Sequence, residues 1–293
     1  MVLLTGATGV VGSPLLRRLT TAGTPVRCLV RDPRGLGAER VRVQIALGDL
    51  AEPHSYRHAL RGVHTVIHLA ASIRDQPPAS IEELNGVATW RMVHAAERAG
   101  VRRFLFFSAM GASTHHRARF FRAKALAEQA LGQSDLPHVI FAPSIVYAPG
   151  DPYLRLLARL SLLPVMPLPG SGKALYQPIW ADDVADCVMG VLNGGGEGDH
   201  RRRYELAGPD TLSHEAIVRL AVRAAVRRRP FARLPMPVVD RLLRGMELAV
   251  GTSAFATPDE AELLQVPMTS SRGTVDAERL GVQPRPMDAV LAV

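Results

Sequence analysis

The hydrophobic positions alternate along most of the chain between short unbroken apolar runs and stripes at helical spacing. Val2 to Thr5 reads as a short buried strand, followed by a glycine-rich turn and a helix whose apolar face carries Leu15, Leu16 and Leu19. Val26 to Val30, Val43 to Leu47 and Thr65 to Leu69 repeat the strand pattern, and His54 to Leu60 suits a short helix before the last of these. Ile81 to Ala99 places Leu84, Val87, Ala88, Val93 and Ala96 on one helical face, and Gly100 supplies the stop before the strand Arg103 to Phe107. A helix over Arg119 to Leu131, a strand over Val139 to Ala142, a helix over Asp182 to Leu192 and a strand over Tyr204 to Ala207 complete the series. Near-continuous apolar strands separated by helix-length segments predict an α/β fold, a doubly wound parallel sheet of Rossmann type joined by right-handed crossovers.

After Pro143 the pattern breaks up, with Pro149, Pro152, Pro164, Pro167, Pro169 and Pro178 cutting the chain into short pieces. The expected organisation is a main domain over residues 1–208, whose segment 150–180 contributes partly to the substrate side, and a small, mostly helical C-terminal lobe over 209–293. Within that lobe Leu234 to Pro237 reads as a linker.

Composition narrows the class. With 293 residues, 47% of them hydrophobic and 21% charged, the chain can bury a sizeable core, which excludes disordered, collagen-like and disulfide-stapled proteins. The two cysteines, Cys28 and Cys187, are far apart and in no C-x-x-C motif, so no metal site is expected and a reducing, cytoplasmic setting fits. No apolar run approaches the roughly 18 residues of a membrane span, and Met1 leads straight into Val2, Leu3 and Leu4 without a charged leader. A soluble chain without a membrane partner is therefore expected. The net charge of +8 suggests an anionic partner until its distribution is read. Lysine occurs only at Lys124 and Lys173, the other 33 basic residues are arginines scattered through helices, and few aromatic residues lie among them, so nucleic acid is not the expected partner. A small molecule is, and a homodimer is allowed.

Thr5-Gly6-Ala7-Thr8-Gly9-Val10-Val11-Gly12 sets three glycines at intervals of three between the first strand and the first helix. Such a turn lets the backbone approach a pyrophosphate at a helix N-terminus, whose free N–H groups and dipole favour negative charge. After the second strand comes Arg31, with Asp32 and Arg34 beyond it. An NAD site usually presents a carboxylate here and an NADP site a cation for the 2′-phosphate, so Arg31 favours NADP (NADPH) over NAD.

The G-x-x-G-x-x-G spacing, Gly48-Asp49-Leu50, His68-Leu69-Ala70-Ala71, Asn85-Gly86-Val87-Ala88-Thr89, Pro143-Ser144-Ile145-Val146-Tyr147 and Pro178-Ile179-Trp180-Ala181-Asp182-Asp183-Val184 occur in that order. Together they resemble the extended and atypical short-chain dehydrogenase/reductase superfamily over roughly residues 1 to 210. Within it the chain is similar to the NAD(P)H-binding group that includes NmrA-like proteins and an accessory subunit of respiratory complex I. The resemblance implies that Gly6, Thr8, Gly9, Val10 and Val11 meet the pyrophosphate, that Asp49 and Leu50 border the adenine, and that Leu69, Ala70 and Ala71 line the nicotinamide ribose path. It also places Ser108, Pro143 and Ile145 beside the cofactor.

In that superfamily a tyrosine and a lysine four residues apart share a helical face, the phenol handling the substrate proton and the ammonium holding the ribose and lowering the phenol pKa. Here Arg119-Phe120-Phe121-Arg122-Ala123-Lys124 keeps the lysine and puts Phe120 at the tyrosine position. The serine partner is also displaced, because the position two beyond Ser108 is Met110. Lys124 is then expected to keep a cofactor role, since arginine would serve a surface helix in this chain equally well. His115 and His116, in the loop before that helix, and Tyr147 after the sixth strand are the remaining candidates for proton transfer. Met110, Phe120, Phe121 and Tyr147 are expected to shape an apolar substrate pocket.

Two further segments are set aside. Pro169-Gly170-Ser171-Gly172-Lys173-Ala174 mimics a phosphate-binding loop but has Pro167 and Ala174 where a glycine and a hydroxyl are required, so it reads as a turn. Asp182, Asp183 and Asp186 open a helix, where carboxylates cap N–H groups. The leading expectation is an NADP(H)-dependent atypical reductase acting on a small apolar or aromatic carbonyl, quinone or enone without the usual tyrosine. The alternatives are a non-catalytic NADP(H)-binding sensor or assembly protein, and a non-redox isomerisation or coupling enzyme of secondary metabolism.

Overall fold

A computed structural model describes residues 1–77, 79–194, 201–251 and 255–292. In chain order the first half runs β1 (Val2–Thr5), α1 (Gly12–Thr21), β2 (Val26–Val30), β3 (Gln44–Leu47), α2 (Pro53–Tyr56), β4 (Thr65–His68), α3 (Ala88–Arg98), β5 (Arg103–Phe107), α4 (Arg119–Gln133) and β6 (His138–Pro143). Short elements follow: β7 (Val146–Tyr147), α5 (Pro152–Leu160), β8 (Met166–Pro169), β9 (Leu175–Tyr176) and β10 (Ile179–Trp180). The rest is α6 (Ala181–Leu192), β11 (Arg202–Leu206), β12 (Leu212–Ser213), α7 (His214–Ala224), β13 (Phe231–Leu234), α8 (Met236–Val250), α9 (Pro258–Leu263), α10 (Val275–Arg279) and α11 (Met287–Leu291).

Seven strands form one sheet in the order β11-β6-β5-β4-β1-β2-β3, every pair parallel. This is the doubly wound arrangement, and the strand order reverses between β1 and β4. Helices α1 and α6 cover one face through Leu15, Leu16, Leu19, Val184 and Val188, and α3 and α4 cover the other through Met92, Val93, Ala127 and Leu131. Each fully buried Leu or Phe in these layers contributes about 1.5–3 kcal/mol. The strands read from the sequence shift by two residues at most. The long third helix is interrupted, because Glu83–Val87 forms one π-helical turn before α3 proper.

The second half departs further from expectation. Leu234 is no linker: β13 pairs in parallel with β8, and Pro235 and Pro237 occupy the start of α8, where a missing N–H is harmless. Residues 209–293 do not stay together either. Ile217, Val218, Ala221, Val222 and Met287 pack with Tyr147, Leu154, Leu157, Met166 and Tyr176, whereas Ala277 and Leu280 of the α10 region return to the sheet core beneath α6. The three aspartates of α6 make no N-terminal side-chain cap. Instead Asp182 and Asp186 hold Arg18 of α1 at 2.9 and 2.6 Å, and buried Asp183 accepts from the Arg285 N–H at 2.8 Å. The Gly170-Ser171-Gly172 segment is a turn, with both glycines in the left-handed region.

Candidate functional site

At the reversal between β1 and β4 a cleft of about 430 Å³ opens along the carboxyl ends of the strands. Its walls are the turn Thr5–Gly9, Arg31, Asp32 and Gly35 after β2, Gly48–Leu50 after β3, and Leu69–Ser72 with Gln76 and Leu84 after β4. Glycine is required at two places in this turn. Gly6 sits at φ +70°, and a side chain there would put its Cβ 2.7 Å from the Ala70 nitrogen; a Cβ on Gly12 would lie 2.0 Å from the Gly6 carbonyl oxygen. Helix α1 begins without a side-chain cap, so no side chain occupies the anion-favouring end of its dipole, although the Ser13 N–H is bonded to the Gly9 carbonyl. This glycine cradle, tight against the exit of β4 and followed by an uncapped helix, fits the pyrophosphate of a dinucleotide.

The end of β2 carries the charges that would meet the adenosine. Arg31 donates to Gln76 Oε1 at 2.8 Å and lies 4.0 Å from Asp49 Oδ2, which holds its guanidinium over the cleft. Asp32 is occupied: it accepts from the Arg34 N–H and pairs with the Arg34 guanidinium, which keeps its carboxyl below the usual range. The acid nearest the end of β2 is thus spent on its own neighbour, while the adjacent arginine faces the cleft.

The residues expected to do the chemistry lie behind the cleft wall and do not line it. Lys124, 2% exposed on α4, donates from Nζ to the Phe107 carbonyl at 2.7 Å and lies 5.0 and 5.7 Å from the ring centres of Phe106 and Phe120. Burial pushes its ammonium down to about 7. The next residue on that strand exit, Ser108, is buried, and its Oγ has no hydrogen-bond partner among the described residues. His68, at the end of β4, bonds Thr5 Oγ1 at 2.9 Å and Thr89 Oγ1 at 3.1 Å, and burial with the nearby Lys124 charge pushes it down to about 3. It is therefore a neutral ring bridging β1 and the π-turned helix start, outside the set expected from sequence.

The structure brings together Gly6, Thr8, Gly9, Arg31, Asp49, Leu50, Leu69, Ala70 and Ala71 as cleft walls. Val10 and Val11 are not among them: Val11 leans on the sheet core beside Leu15. Pro143 and Ile145 likewise use their carbonyls internally, accepting from Met110 and Ile179. His115 is exposed, and His116 Nδ1 takes the Ala118 N–H at 2.9 Å while its ring packs on Phe121. Tyr147 is buried among Leu154, Leu157 and Tyr176, which pushes its phenol up, away from proton exchange. Met110 is buried, and Phe121, 1% exposed, packs with Phe120, Leu263, Val266 and Met268, so Phe121 is a covered apolar residue and no wall of the open cleft. That cover is pinned by ion pairs: Arg74 grips Glu260, and Arg119 reaches Asp75, Glu82 and Asp259. Gln76, Gly35 and Ser72 in the cleft were not read from sequence. None carried a local signal: that a Cβ on Gly35 would press on Thr8 at 2.9 Å is visible only once the two turns are brought together.

Residues 6–163, a little over half of the chain, match a family model described as NAD(P)H-binding. The chain is 28% identical over 281 residues to the (4-alkanoyl-5-oxo-2,5-dihydrofuran-3-yl)methyl phosphate reductase of Streptomyces griseus, which covers 90% of this chain and 92% of that protein. It is 26% identical over 265 residues to the mitochondrial NADH dehydrogenase (ubiquinone) 1 alpha subcomplex subunit 9 of Arabidopsis thaliana, covering 86% of this chain and 65% of the subunit. Against that subunit and several other curated relatives the chain spans less than two thirds of the relative's own length. A nucleoside-diphosphate-sugar epimerase of Staphylococcus aureus superimposes with a TM-score of 0.75 at 19% identity, covering 100% of this chain and 99% of that one, which shows a shared fold.

Proposed function

Because the chain belongs to the NAD(P)H-binding family, we propose that it is an NADPH-dependent reductase of small conjugated carbonyls, quinones or enones, in which Lys124 controls the proton in place of a tyrosine phenol. The observation that carries this reading is a buried lysine beside an aromatic ring at the tyrosine position, with an ammonium pushed down to about 7 and an unpartnered serine hydroxyl next to the carbonyl that holds it. A group with a pKa near the working pH is the right kind for proton transfer. The Streptomyces griseus relative is named as a reductase of an oxo-dihydrofuran, an alkene activated by a carbonyl, which is the same class of acceptor.

The bound cofactor supplies the two-electron reducing equivalent. The residues of the chain do the rest. The Gly6–Gly9 backbone and the α1 N-terminus bind the pyrophosphate, and Arg31, steadied by Gln76, binds the 2′-phosphate and so selects NADPH. Lys124 spends one of its three donors on Phe107 and directs the others to the ribose hydroxyls and the substrate oxygen, with Ser108 Oγ as a second donor. Met110, Phe120 and Phe121 exclude water. A conjugated acceptor spreads the developing charge over several atoms and so depends less on a phenol.

The test is a fluorescence titration with NADPH and NADH, followed by NADPH oxidation in the presence of quinones and enones. Turnover that falls about 100-fold in Lys124→Met, with NADPH affinity within about tenfold of the parent, is the expected result. A second reading, a non-catalytic NADP(H)-binding protein, is favoured by the cover of Leu263, Val266 and Met268 over Phe121. Tight NADPH binding with no acceptor reduced would establish it in place of the first.

A further inference from the structure

The turns that leave α5 and α7 meet at Ser161. Arg227 Nη1 donates to Ser161 Oγ at 3.3 Å and Arg229 Nε to the Ser161 carbonyl at 3.0 Å, above a seam in which Leu157 packs with Val218, Ala221 and Val222. Outside that seam Leu162 is 63% exposed and Val226 93% exposed, with Leu163 and Val165 also exposed. Val226 stands at φ +56°, in the left-handed region that β-branched residues rarely adopt. A glycine or asparagine would relax that turn, so the strain is borne by a side chain that stays almost fully exposed among the described residues.

The charges carried by the two chain segments that form these tips are all of one sign, although Asp210 and Asp288 line a recess with Arg223 at the margin of the patch. No Asp or Glu occurs between Asp151 and Asp182, nor between Glu215 and Asp240, while Arg155, Arg159, Arg223, Arg227, Arg228 and Arg229 fall within those stretches. Among the described residues none of the six has a carboxylate partner, whereas Arg219 and Arg233 at the margin are both taken by Glu215. Helix C-termini attract cations, which accounts for Arg159 and Arg223. It accounts for neither Arg228 nor the four apolar tips. Nucleic acid would use the arginines but offers nothing to leucine and valine, and the rings on these segments are taken: Phe231 is covered by Arg219 at 4.9 Å and Tyr153 is bonded to His214, so neither is free to stack on a base.

We propose that this patch docks the protein peripherally on an anionic phospholipid surface, the arginines meeting lipid phosphates while Leu162, Leu163, Val165 and Val226 enter the boundary between headgroups and acyl chains. No spanning element is involved, since no described helix is long and apolar enough to cross a membrane. The expectation of no membrane contact came from the lack of a spanning run, which does not bear on a surface contact. The proposal stands independently of the reductase reading.

The experiment is co-sedimentation of the whole protein with vesicles of phosphatidylcholine containing about a third phosphatidylglycerol, against phosphatidylcholine alone, at low and high salt. Binding to the anionic vesicles only, weakened by salt, is expected. The pair Arg155→Glu/Arg228→Glu and the triple Leu162→Ser/Leu163→Ser/Val226→Asn should each lower partitioning about tenfold or more, with NADPH affinity unchanged. Asparagine tolerates the left-handed backbone, so the triple variant remains folded, which a thermal melt checks. The proposal is overturned by absence of binding to the anionic vesicles, by equal binding to neutral ones, or by full binding in the triple variant. It is also overturned if light scattering shows a dimer that either variant converts to monomer, because the patch would then be an interface between copies.

Discussion

The two halves of the cleft edge are made of different material. On the adenosine side the groups that face a nucleotide are mostly backbone, held by Gly6 and Gly12 packing where no Cβ fits, with Arg31 reaching over the opening. On the side proposed for the reaction they are side chains behind the cleft wall and not part of its lining: Lys124 on a carbonyl, Ser108 with a hydroxyl that has no partner among the described residues, and Phe120 and Phe121 packed with residues from the far end of the chain. Backbone recognition tolerates drift in the surrounding sequence as long as the glycines stay. Side-chain chemistry does not, so the proposal that Phe120 stands at the usual tyrosine position is the part of the reading that most needs a test.

The largest expected effect tests the backbone half. Gly12→Ala must displace the Gly6 carbonyl, since its Cβ would lie 2.0 Å from that oxygen. It should cost about 3 kcal/mol of stability and about 100-fold in NADPH affinity. A melt and a nucleotide titration measure both, and wild-type affinity would break the comparison at its root. Lys124→Met comes next and tests the other half through pH. The folded-state pKa of Lys124 is depressed from 10.5 to about 7, so the unfolded chain holds the extra proton between those values. Stability therefore rises as pH climbs from about 7 towards 10.5, and Lys124→Met removes that slope and is the more stable protein below pH 7. Turnover that needs the protonated form declines above about pH 7 in the parent. Chemical denaturation midpoints across pH and a pH–rate profile check the two signs.

The strands, their order of appearance and the glycine turn were legible because each rests on local signals: apolar runs of strand length, glycines at a strand-to-helix junction, a stop at Gly100. Lys124 was legible as a rarity in an arginine-rich chain. What lay hidden depends on contacts between distant segments. Nothing near Leu234 says that it will pair with Pro169, and nothing near Phe121 says that Val266 will cover it. The aspartates of α6 were misread as caps because their partners, Arg18 for Asp182 and Asp186 and Arg285 for Asp183, lie far away in the sequence. His68 was read only as part of a motif, and its bridging role stayed hidden for the same reason: its two partners, Thr5 and Thr89, sit on elements that only the fold brings together.

Two smaller effects sharpen the boundary between the halves. Arg31→Asp should shift preference from NADPH towards NADH by about tenfold to 100-fold, because a carboxylate suits a free ribose and repels a 2′-phosphate. A titration showing no change in the ratio would mean that the guanidinium serves only Gln76 and Asp49. Arg119→Gln releases Asp75, Glu82 and Asp259 together and loosens the cover. Each pair is partly exposed and contributes on the order of 1 kcal/mol or less. The readout is therefore kinetic: KM for the acceptor rises about threefold to tenfold while NADPH affinity holds. Equal losses in both would place the cover over the whole cleft and not over its reaction side alone.

The smallest effect bears most directly on how the reaction half works. Phe120 and Lys124 are one helical turn apart on α4, with Nζ 5.7 Å from the ring centre, so a phenol introduced at 120 would enter the field of the ammonium. Phe120→Tyr restores the usual pair in a setting where the lysine is already buried and bonded to Phe107. If the apolar ring merely fills space, the variant should gain about tenfold or less towards simple ketones, which need an enzyme acid, and change little towards quinones, which do not. A fall in quinone reduction would instead show that the ring keeps water and hydrogen bonds away from Lys124, so that its low pKa depends on the phenylalanine. The pH–rate profile separates these outcomes. A phenol that hydrogen-bonds or charges beside Nζ stabilises the ammonium and moves the alkaline limb upward, whereas an inert phenol leaves it near 7.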